Sequence, residues 1–150
     1  MLNEIQLKRH CEKIRINPYE HRVRMSETDL SGGVHHSHYI SWMEDARADL
    51  LEQIGIGFER LHASGIEPLM ISEKINYWNK LKYGDTVVVK TRISAYDGHN
   101  MDIAYSFLDK KTGEDVAAAE SRHCFVNNSG IPISLKRIYP ELETRFFEFH

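Results

Sequence analysis

The first regular pattern along the chain is an alternation of apolar and charged positions that begins after Pro18. One face of this segment carries Tyr19, His21, Val23 and Met25, and the other carries Glu20, Arg22 and Arg24. A period of two residues is typical of a β-strand with one buried face. The sequence therefore predicts a strand over residues 19–25.

The spacing changes to three and four residues after a polar, glycine-containing turn at residues 26–33. Apolar residues then recur at Tyr39, Ile40, Met43, Ala46, Leu50, Leu51 and Ile54. Such a stripe predicts an amphipathic helix from about residue 37 to residue 53. We expect the buried stripe to include Trp42 near its edge, and we expect Gly55 and Gly57 to end the helix.

The second half of the chain is predicted to consist of strands. A short helix at residues 58–63 precedes four strand-like segments, at residues 70–78, 87–95, 101–107 and 116–126. Asp97-Gly98 is a hairpin signal, and residues 110–114 form another turn. One helical stripe and one set of strands must bury each other. We therefore expect an α+β fold in which an antiparallel sheet wraps around one long central helix.

The two ends of the chain give weaker patterns. Residues 1–17 are expected to form an extension with weak amphipathic helical character, which Pro18 closes. Pro140 is expected in the first turn of a terminal helix whose inner face carries Leu142 and Phe146. The first residues lack the apolar segment of a secretion signal.

Composition narrows the class of protein. With 150 residues, the chain has the size of one domain. Lys and Arg total 19 and Asp and Glu total 22, which gives a net charge of −3 and disfavours nucleic acid as a partner. No apolar run is long enough to span a bilayer, so no membrane association is expected. Cys11 and Cys124 lie far apart without metal-ligand spacing, which fits a reducing cytoplasm.

The densest group of chemically capable residues lies in the turn before the long helix. Asp29 is placed beside backbone N–H groups at a helix N-terminus, which can bind an anion or a developing oxyanion. Gly32 and Gly33 allow a substrate to approach the backbone closely. This combination suits acyl transfer to water. The alternative is that Asp29 is only a turn or capping residue.

The same segment resembles the signature of the 4-hydroxybenzoyl-CoA thioesterase-like family. The members of this family are hotdog-fold acyl-CoA thioesterases. The matching positions, without gaps, are Glu27-Thr28-Asp29, Gly32, Val34, His36 and Tyr39, followed by Trp42-Met43-Glu44 and Arg47. Tyr77 and Gly84-Asp85 resemble the family's tyrosine and the turn before its next strand. The resemblance implies the hotdog fold and hydrolysis of an acyl-CoA thioester.

The resemblance also implies roles for matched residues. Asp29 falls on the catalytic aspartate, which acts as nucleophile or as base for water, and His36 can assist it. The backbone N–H groups near His35 and His36 would polarise the thioester carbonyl. The sequence departs from the family at three positions: Gly33 and His35 replace a bulky and an aromatic residue, and Lys80 stands where many relatives have proline.

Partners follow from the same resemblance. The family implies a homodimer or homotetramer with each active site between two subunits, and it needs no cofactor. Basic residues are candidates for the coenzyme phosphates on the ground of charge alone, namely Lys80, Lys82 and Arg92, with Lys90 and Arg122 as further candidates.

Several alternatives stay open. The carrier could be acyl carrier protein instead of coenzyme A, or the domain could be a non-catalytic hotdog module that binds acyl-CoA or mediates assembly. His35, His36 and His38 lack the spacing of a settled metal site, so no metal is expected. Glu44 and Arg47 are expected to form a structural ion pair on the helix.

Overall fold

The computed structural model describes residues 16–138. The extension at residues 1–15 and the helix predicted after Pro140 lie outside the described residues. In chain order the elements are β1 (Tyr19–Arg22), a 3₁₀ turn (Met25–Glu27), α1 (Ser37–Gln53), α2 (Phe58–Ala63), β2 (Ile66–Tyr77), β3 (Thr86–Tyr96), β4 (Asn100–Asp109), β5 (Asp115–Asn127) and α3 (Leu135–Ile138). The bounds predicted for the first two helices are confirmed.

The five strands form one antiparallel sheet in the order β1-β3-β4-β5-β2. Consecutive strands β3, β4 and β5 are joined by tight turns, and the turn at Asp97-Gly98 has the predicted hairpin form, with Gly98 at a φ of +92°. Within residues 16–138, strand β2 pairs only with β5, and β1 pairs only with β3. The sheet formed by these residues therefore has two edges, of which β2 is the longer.

The apolar side of α1 packs on the inner face of this sheet. Met43, Leu50 and Leu51 are fully buried against sheet residues such as Ile103 and Phe107. The predicted stripe is buried except for Ile40, which is 41% exposed, and Trp42 at its edge is only 1% exposed and lies in the core. Trp42 turns inward because its indole N–H finds an acceptor there, the Glu27 carboxylate.

Two strand predictions are corrected in detail. The first strand ends at Arg22, and Met25 lies in the 3₁₀ turn with 64% of its surface exposed, so it does not belong to the buried face. Strand β2 begins earlier than predicted, at Ile66, and carries a register shift between Met70 and Ser72. This irregularity explains why its alternation is imperfect in the sequence. Among residues 16–138, no helix is long and apolar enough to cross a membrane.

Candidate active site

A tight reversal between β1 and α1 carries Asp29. Thr28 and Val34 form an isolated antiparallel bridge, and the Asp29 N–H donates to the Gly33 carbonyl at 2.9 Å. Gly32 closes the turn through its N–H to the Asp29 carbonyl at 3.0 Å, with a φ of +83° that favours glycine. The backbone of Asp29 is therefore fixed on both sides.

The Asp29 side chain is solvent-exposed but locally bonded. Its Oδ1 accepts the Ser31 backbone N–H at 2.8 Å and the Ser31 hydroxyl, whereas Oδ2 accepts no hydrogen bond from the described residues. These bonds from Ser31 lower the pKa of Asp29 below its usual value, and the nearby Lys80 and His35 lower it further. The carboxylate is consequently ionised at neutral pH with one oxygen available for chemistry.

The start of α1 offers backbone N–H groups beside this carboxylate. The His35 N–H is already occupied, because it donates to the Glu27 carbonyl at 3.0 Å. His36 is the N-cap, and no described residue accepts its backbone N–H. Of these two N–H groups, only that of His36 is without an acceptor among the described residues, and it lies at the positive end of the helix dipole.

Aromatic rings surround this helix start. The His35 and His36 rings lie 4.1 Å apart, and the Tyr77 hydroxyl donates to the His36 carbonyl at 3.3 Å. The His35 Nδ1 lies 2.8 Å from the Ser37 hydroxyl. Among the described residues, no group of three or more histidine, cysteine or acidic side chains is arranged to hold a metal ion. Tyr77 thus joins the end of strand β2 to the N-cap of α1.

The remaining candidates divide into those near Asp29 and those far from it. Gly32 faces open space, whereas Gly33 is buried against the Lys80 side chain. The Lys80 Nζ lies 3.4 Å from the Ser31 hydroxyl, and Lys82 forms a backbone bridge with Gly33. Arg92 lies on β3, six positions beyond Thr86, the first residue of that strand. This separation corresponds to roughly 20 Å along the strand. The turn therefore gathers both lysines but not Arg92.

A buried acidic residue supports the turn, and spacing alone does not reveal its bonding. Glu27, only 8% exposed, accepts the Arg24 N–H at 2.7 Å and the Trp42 indole N–H at 2.8 Å, and its Oε1 lies 2.8 Å from the His21 Nε2. Burial raises its pKa, but the bonds with His21, Arg24 and Trp42 outweigh burial and lower it. The signal in the sequence is the alternation that places His21 on the buried face, where it needs a polar partner.

The ion pair predicted between Glu44 and Arg47 is not observed. Arg47 is buried and its Nη1 donates to the Tyr105 hydroxyl at 3.2 Å. That hydroxyl lies 2.8 Å from the Ser121 hydroxyl, which lies 2.7 Å from the His123 Nε2. A guanidinium can only donate, so Arg47 is the donor to the Tyr105 hydroxyl, whereas either hydroxyl can donate in the contact between Tyr105 and Ser121. Arg47 points toward the sheet, where the Tyr105 hydroxyl accepts one of its N–H groups.

The His123 ring lies at the end of this chain of contacts. Burial lowers its pKa to about 4, and the positive charge of Arg47 lowers it as well. His123 is therefore neutral at pH 7. Cys124, the next residue, is a free thiol that is more exposed than His123, which confirms that the two side chains take opposite faces of β5.

One of several surface pockets lies on the sheet, away from Asp29. It has a volume of about 320 Å³ and is bordered by Ser72, Glu73, Lys74, Asp102, Glu120, Ser121 and Arg122. Three of these residues are acidic, and Asp102 and Arg122 form an ion pair at 2.8 Å. This pocket neither contains the Asp29 turn nor offers a surplus of positive charge for phosphate.

Comparison with known proteins identifies the family. Residues 23–145 match the model of the thioesterase-like superfamily. YneP of Bacillus subtilis, which is named as an acyl-CoA thioesterase, is 29% identical over 131 residues, covering 87% of this chain and 95% of that protein. An Aquifex aeolicus protein named as an esterase is 30% identical over 113 residues, covering 75% of this chain and 87% of its own length.

Solved structures agree with the sequence comparison. The DHNA-CoA thioesterase of Staphylococcus aureus superposes with a TM-score of 0.82 at 25% identity, covering 88% of this chain and 89% of that one. The gentisyl-coenzyme A thioesterase BH1999 shares the fold, with a TM-score of 0.74 at 21% identity over 86% of this chain and 98% of that one. The family and the fold predicted from the sequence are thereby confirmed. The chain belongs to the thioesterase-like superfamily and is a hotdog-fold thioester hydrolase.

Proposed function

We propose that this protein hydrolyses an acyl-CoA thioester to a free carboxylic acid and coenzyme A, with Asp29 as the catalytic residue. The observation that carries the proposal is the asymmetry of its carboxylate, in which Ser31 holds Oδ1 and leaves Oδ2 free of described partners. Coenzyme A as the carrier is supported by the names of YneP and of the S. aureus thioesterase.

The free oxygen of Asp29 can serve in either of two ways. As a base, Oδ2 takes a proton from water while the water oxygen bonds to the thioester carbonyl carbon; the C–S bond then breaks and the thiolate leaves with that proton. As a nucleophile, Oδ2 bonds to the acyl carbon and expels the thiolate, and water then cleaves the resulting anhydride. Both routes start from an ionised carboxylate, which the lowered pKa provides.

The negative charge that develops on the thioester oxygen needs a donor. We assign this role to the His36 backbone N–H, because the neighbouring His35 N–H is bonded to Glu27 and no described residue accepts the His36 N–H. A donor at a helix start is fixed before the reaction and needs no reorganisation. The His36 ring, close to His35 and Tyr77, is placed to border the reacting group.

Binding of the coenzyme phosphates is assigned to the surface that continues from the Asp29 turn. Lys82 is the best placed of the predicted candidates, since its backbone bridges to Gly33 within the turn. Arg92 lies too far along β3 to contact the same end of the coenzyme as the turn, so it would serve only a distal phosphate. Exposed lysine and arginine side chains bind phosphate without a preformed pocket.

We further propose that the protein is a homodimer or homotetramer. Among residues 16–138, strand β2 pairs with β5 on one side and has no partner on the other. It exposes large apolar side chains, namely Leu69, Met70, Ile71 and Tyr77, followed by Trp78. An exposed apolar edge strand is a surface that proteins cover. Light scattering at micromolar concentration should give a mass of two or four chains, and a monomer would contradict the assembly.

The decisive experiment replaces Asp29 by asparagine, which keeps the size and the bond from Ser31 but cannot hold the charge. Turnover of the best thioester from a panel of acyl-CoA esters, followed by release of free thiol, should fall by about 10²- to 10⁴-fold. Circular dichroism should stay unchanged, because an Asn in a turn costs little.

A matched control exists in the hairpin between β3 and β4. Asp97 is also a turn aspartate whose Oδ1 accepts two backbone N–H groups, from His99 and Asn100, and its pKa is also lowered. Asp97→Asn should leave turnover unchanged. If folded Asp29→Asn retained more than about half of the wild-type turnover, Asp29 would not be the catalytic residue, since either role costs at least the lower factor above.

A further inference from the structure

Charge alone makes Lys80 a candidate for binding the coenzyme phosphates, yet its ammonium lies at the Asp29 turn. Nζ is 3.4 Å from the Ser31 hydroxyl oxygen, and the same oxygen lies 3.4 Å from the Gly33 N–H. An ammonium and a backbone N–H can only donate. Both therefore occupy the acceptor side of the Ser31 hydroxyl, and its single hydrogen is left to point at Asp29.

The hydroxyl of Ser31 in turn fixes one half of the Asp29 carboxylate. Its hydrogen and the Ser31 backbone N–H both reach Oδ1. The result is a directed chain from Lys80 through Ser31 to Oδ1, which leaves Oδ2 free to meet water or substrate. The charge of Lys80 also acts on the carboxylate directly.

The path of the Lys80 stem depends on the absence of a side chain at Gly33. A Cβ at position 33 would lie 3.0 Å from the Lys80 Cδ and 3.6 Å from its Cβ and Cγ. The backbone of Gly33 cannot yield, because its carbonyl accepts the Asp29 N–H and it bridges to Lys82. A branched residue at position 33 would therefore push the Lys80 stem away from Ser31.

We propose that Lys80 is a positioning residue for the catalytic carboxylate, acting through the Ser31 hydroxyl, and that Gly33 is required to make room for it. This inference rests on the proposed role of Asp29. It assigns Lys80 to the reaction centre and not to the phosphates of the coenzyme. The charged groups that act on Asp29 are Lys80 and His35, with Ser31 as its hydrogen-bond partner.

The first test separates positioning from coenzyme binding. Lys80→Met keeps the stem and removes the charge, and we expect kcat to fall about fivefold at neutral pH, the upper range for an exposed charge contact. KM for the acyl-CoA ester should not change, and the acidic limb of the kcat/KM profile should move to higher pH. Lys80→Arg should restore most of the activity. A rise in KM with kcat unchanged would instead make Lys80 a phosphate ligand and overturn the proposal.

The second test uses the coupling between positions 33 and 80. Gly33→Val should lower kcat about as much as Lys80→Met does, and the double variant should be no worse than either one. Additive losses would overturn the claim that Gly33 acts by making room for Lys80. Lys111→Met, which removes an exposed lysine in the turn between β4 and β5, is the matched control and should leave kcat unchanged.

A third measurement is independent of turnover. Titration of the Asp29 carboxyl carbon by NMR should show its pKa rising toward the ordinary value in Lys80→Met and staying low in Lys111→Met. If hydrolysis requires Asp29 but the pKa of Asp29 does not change in Lys80→Met, the proposed role of Lys80 is wrong and the proposed function stands. If Asp29→Asn hydrolyses normally, the proposed function fails whatever the titration shows.

Discussion

The Trp42 indole N–H donates to Oε2 of Glu27 at 2.8 Å, and this bond joins the core side of α1 to the segment that carries the catalytic candidate two residues later. Oε1 of the same carboxylate meets His21 and the Arg24 N–H. Both oxygens are therefore engaged, which an amide cannot reproduce because one of its two ends is a donor.

The first prediction follows from this arrangement. Glu27→Gln should lower the free energy of unfolding by about 1–3 kcal/mol, because at least one buried N–H loses its acceptor. It should also lower kcat, since the Asp29 turn is no longer fixed by Trp42. Urea denaturation and steady-state kinetics measure the two effects. Glu20→Gln, which removes an exposed acid paired with Lys110, is the control and should do neither.

The second prediction concerns acid stability. His123 has a pKa of about 4 in the folded state, against 6.5 for the free side chain. Between these two pH values, the unfolded chain binds a proton at His123 and the folded chain does not. Wild-type stability should therefore fall as pH drops from about 6.5 toward 4, by on the order of 3 kcal/mol. In His123→Asn this part of the pH dependence should disappear. Equal slopes for both proteins in denaturation at a series of pH values would contradict the prediction.

The third prediction concerns Glu73 on the inner face of β2. Its Oε1 is buried without a hydrogen-bond partner among the described residues, and burial raises its pKa, with Glu44 adding to the effect and Arg47 opposing it. Because folding raises the pKa of Glu73, this side chain stabilises the folded state below pH 4.5. That stabilisation is lost as pH rises through the pKa of Glu73 in the folded state. Glu73→Gln should therefore gain stability over wild type as pH rises from 4 to 7. Thermal denaturation at both pH values checks this, with Glu120→Gln on the opposite face as the control.

The fourth prediction concerns metal. His35, His36 and His38 lie together at the start of α1, but the nearest bond of the His35 ring goes to Ser37. Dialysis against a strong chelator should leave hydrolysis unchanged. Loss of activity that one equivalent of a divalent ion restores would show that metal-activated water replaces Asp29 in the reaction.

The elements of this fold could be predicted from periodicity because each has a side facing the same core. The helix bounds at residues 37–53 and the hairpin at Asp97-Gly98 required only spacing and turn chemistry. The strand order could not be predicted, because alternation fixes which face of a strand is buried and not which strand lies beside it. Ile40 was placed wrongly, whereas the burial of Trp42 was predicted. The bond that fixes the Trp42 indole could not be predicted, because its acceptor comes from a segment 15 positions earlier in the chain.

The candidate site divides in the same way. Asp29 and the helix start are adjacent in sequence, so the motif places them together. Lys80 approaches Ser31 across 49 positions of chain, and Arg47 meets Tyr105 across 58 positions. Such contacts depend on how the sheet curves around α1, which local pattern does not encode. The Glu44–Arg47 prediction failed for this reason: a helical neighbour was available, but a buried hydroxyl on the sheet was a better match for the guanidinium.

The bond between the Tyr77 hydroxyl and the His36 carbonyl has a mechanical consequence. Tyr77 is the last residue of the edge strand, and His36 is the N-cap of α1. A displacement of the strand tip would therefore move, through a single side chain, the backbone whose N–H is proposed to receive the oxyanion. A partner that docks on β2 would in this way change turnover, and specific activity would report occupancy of that edge.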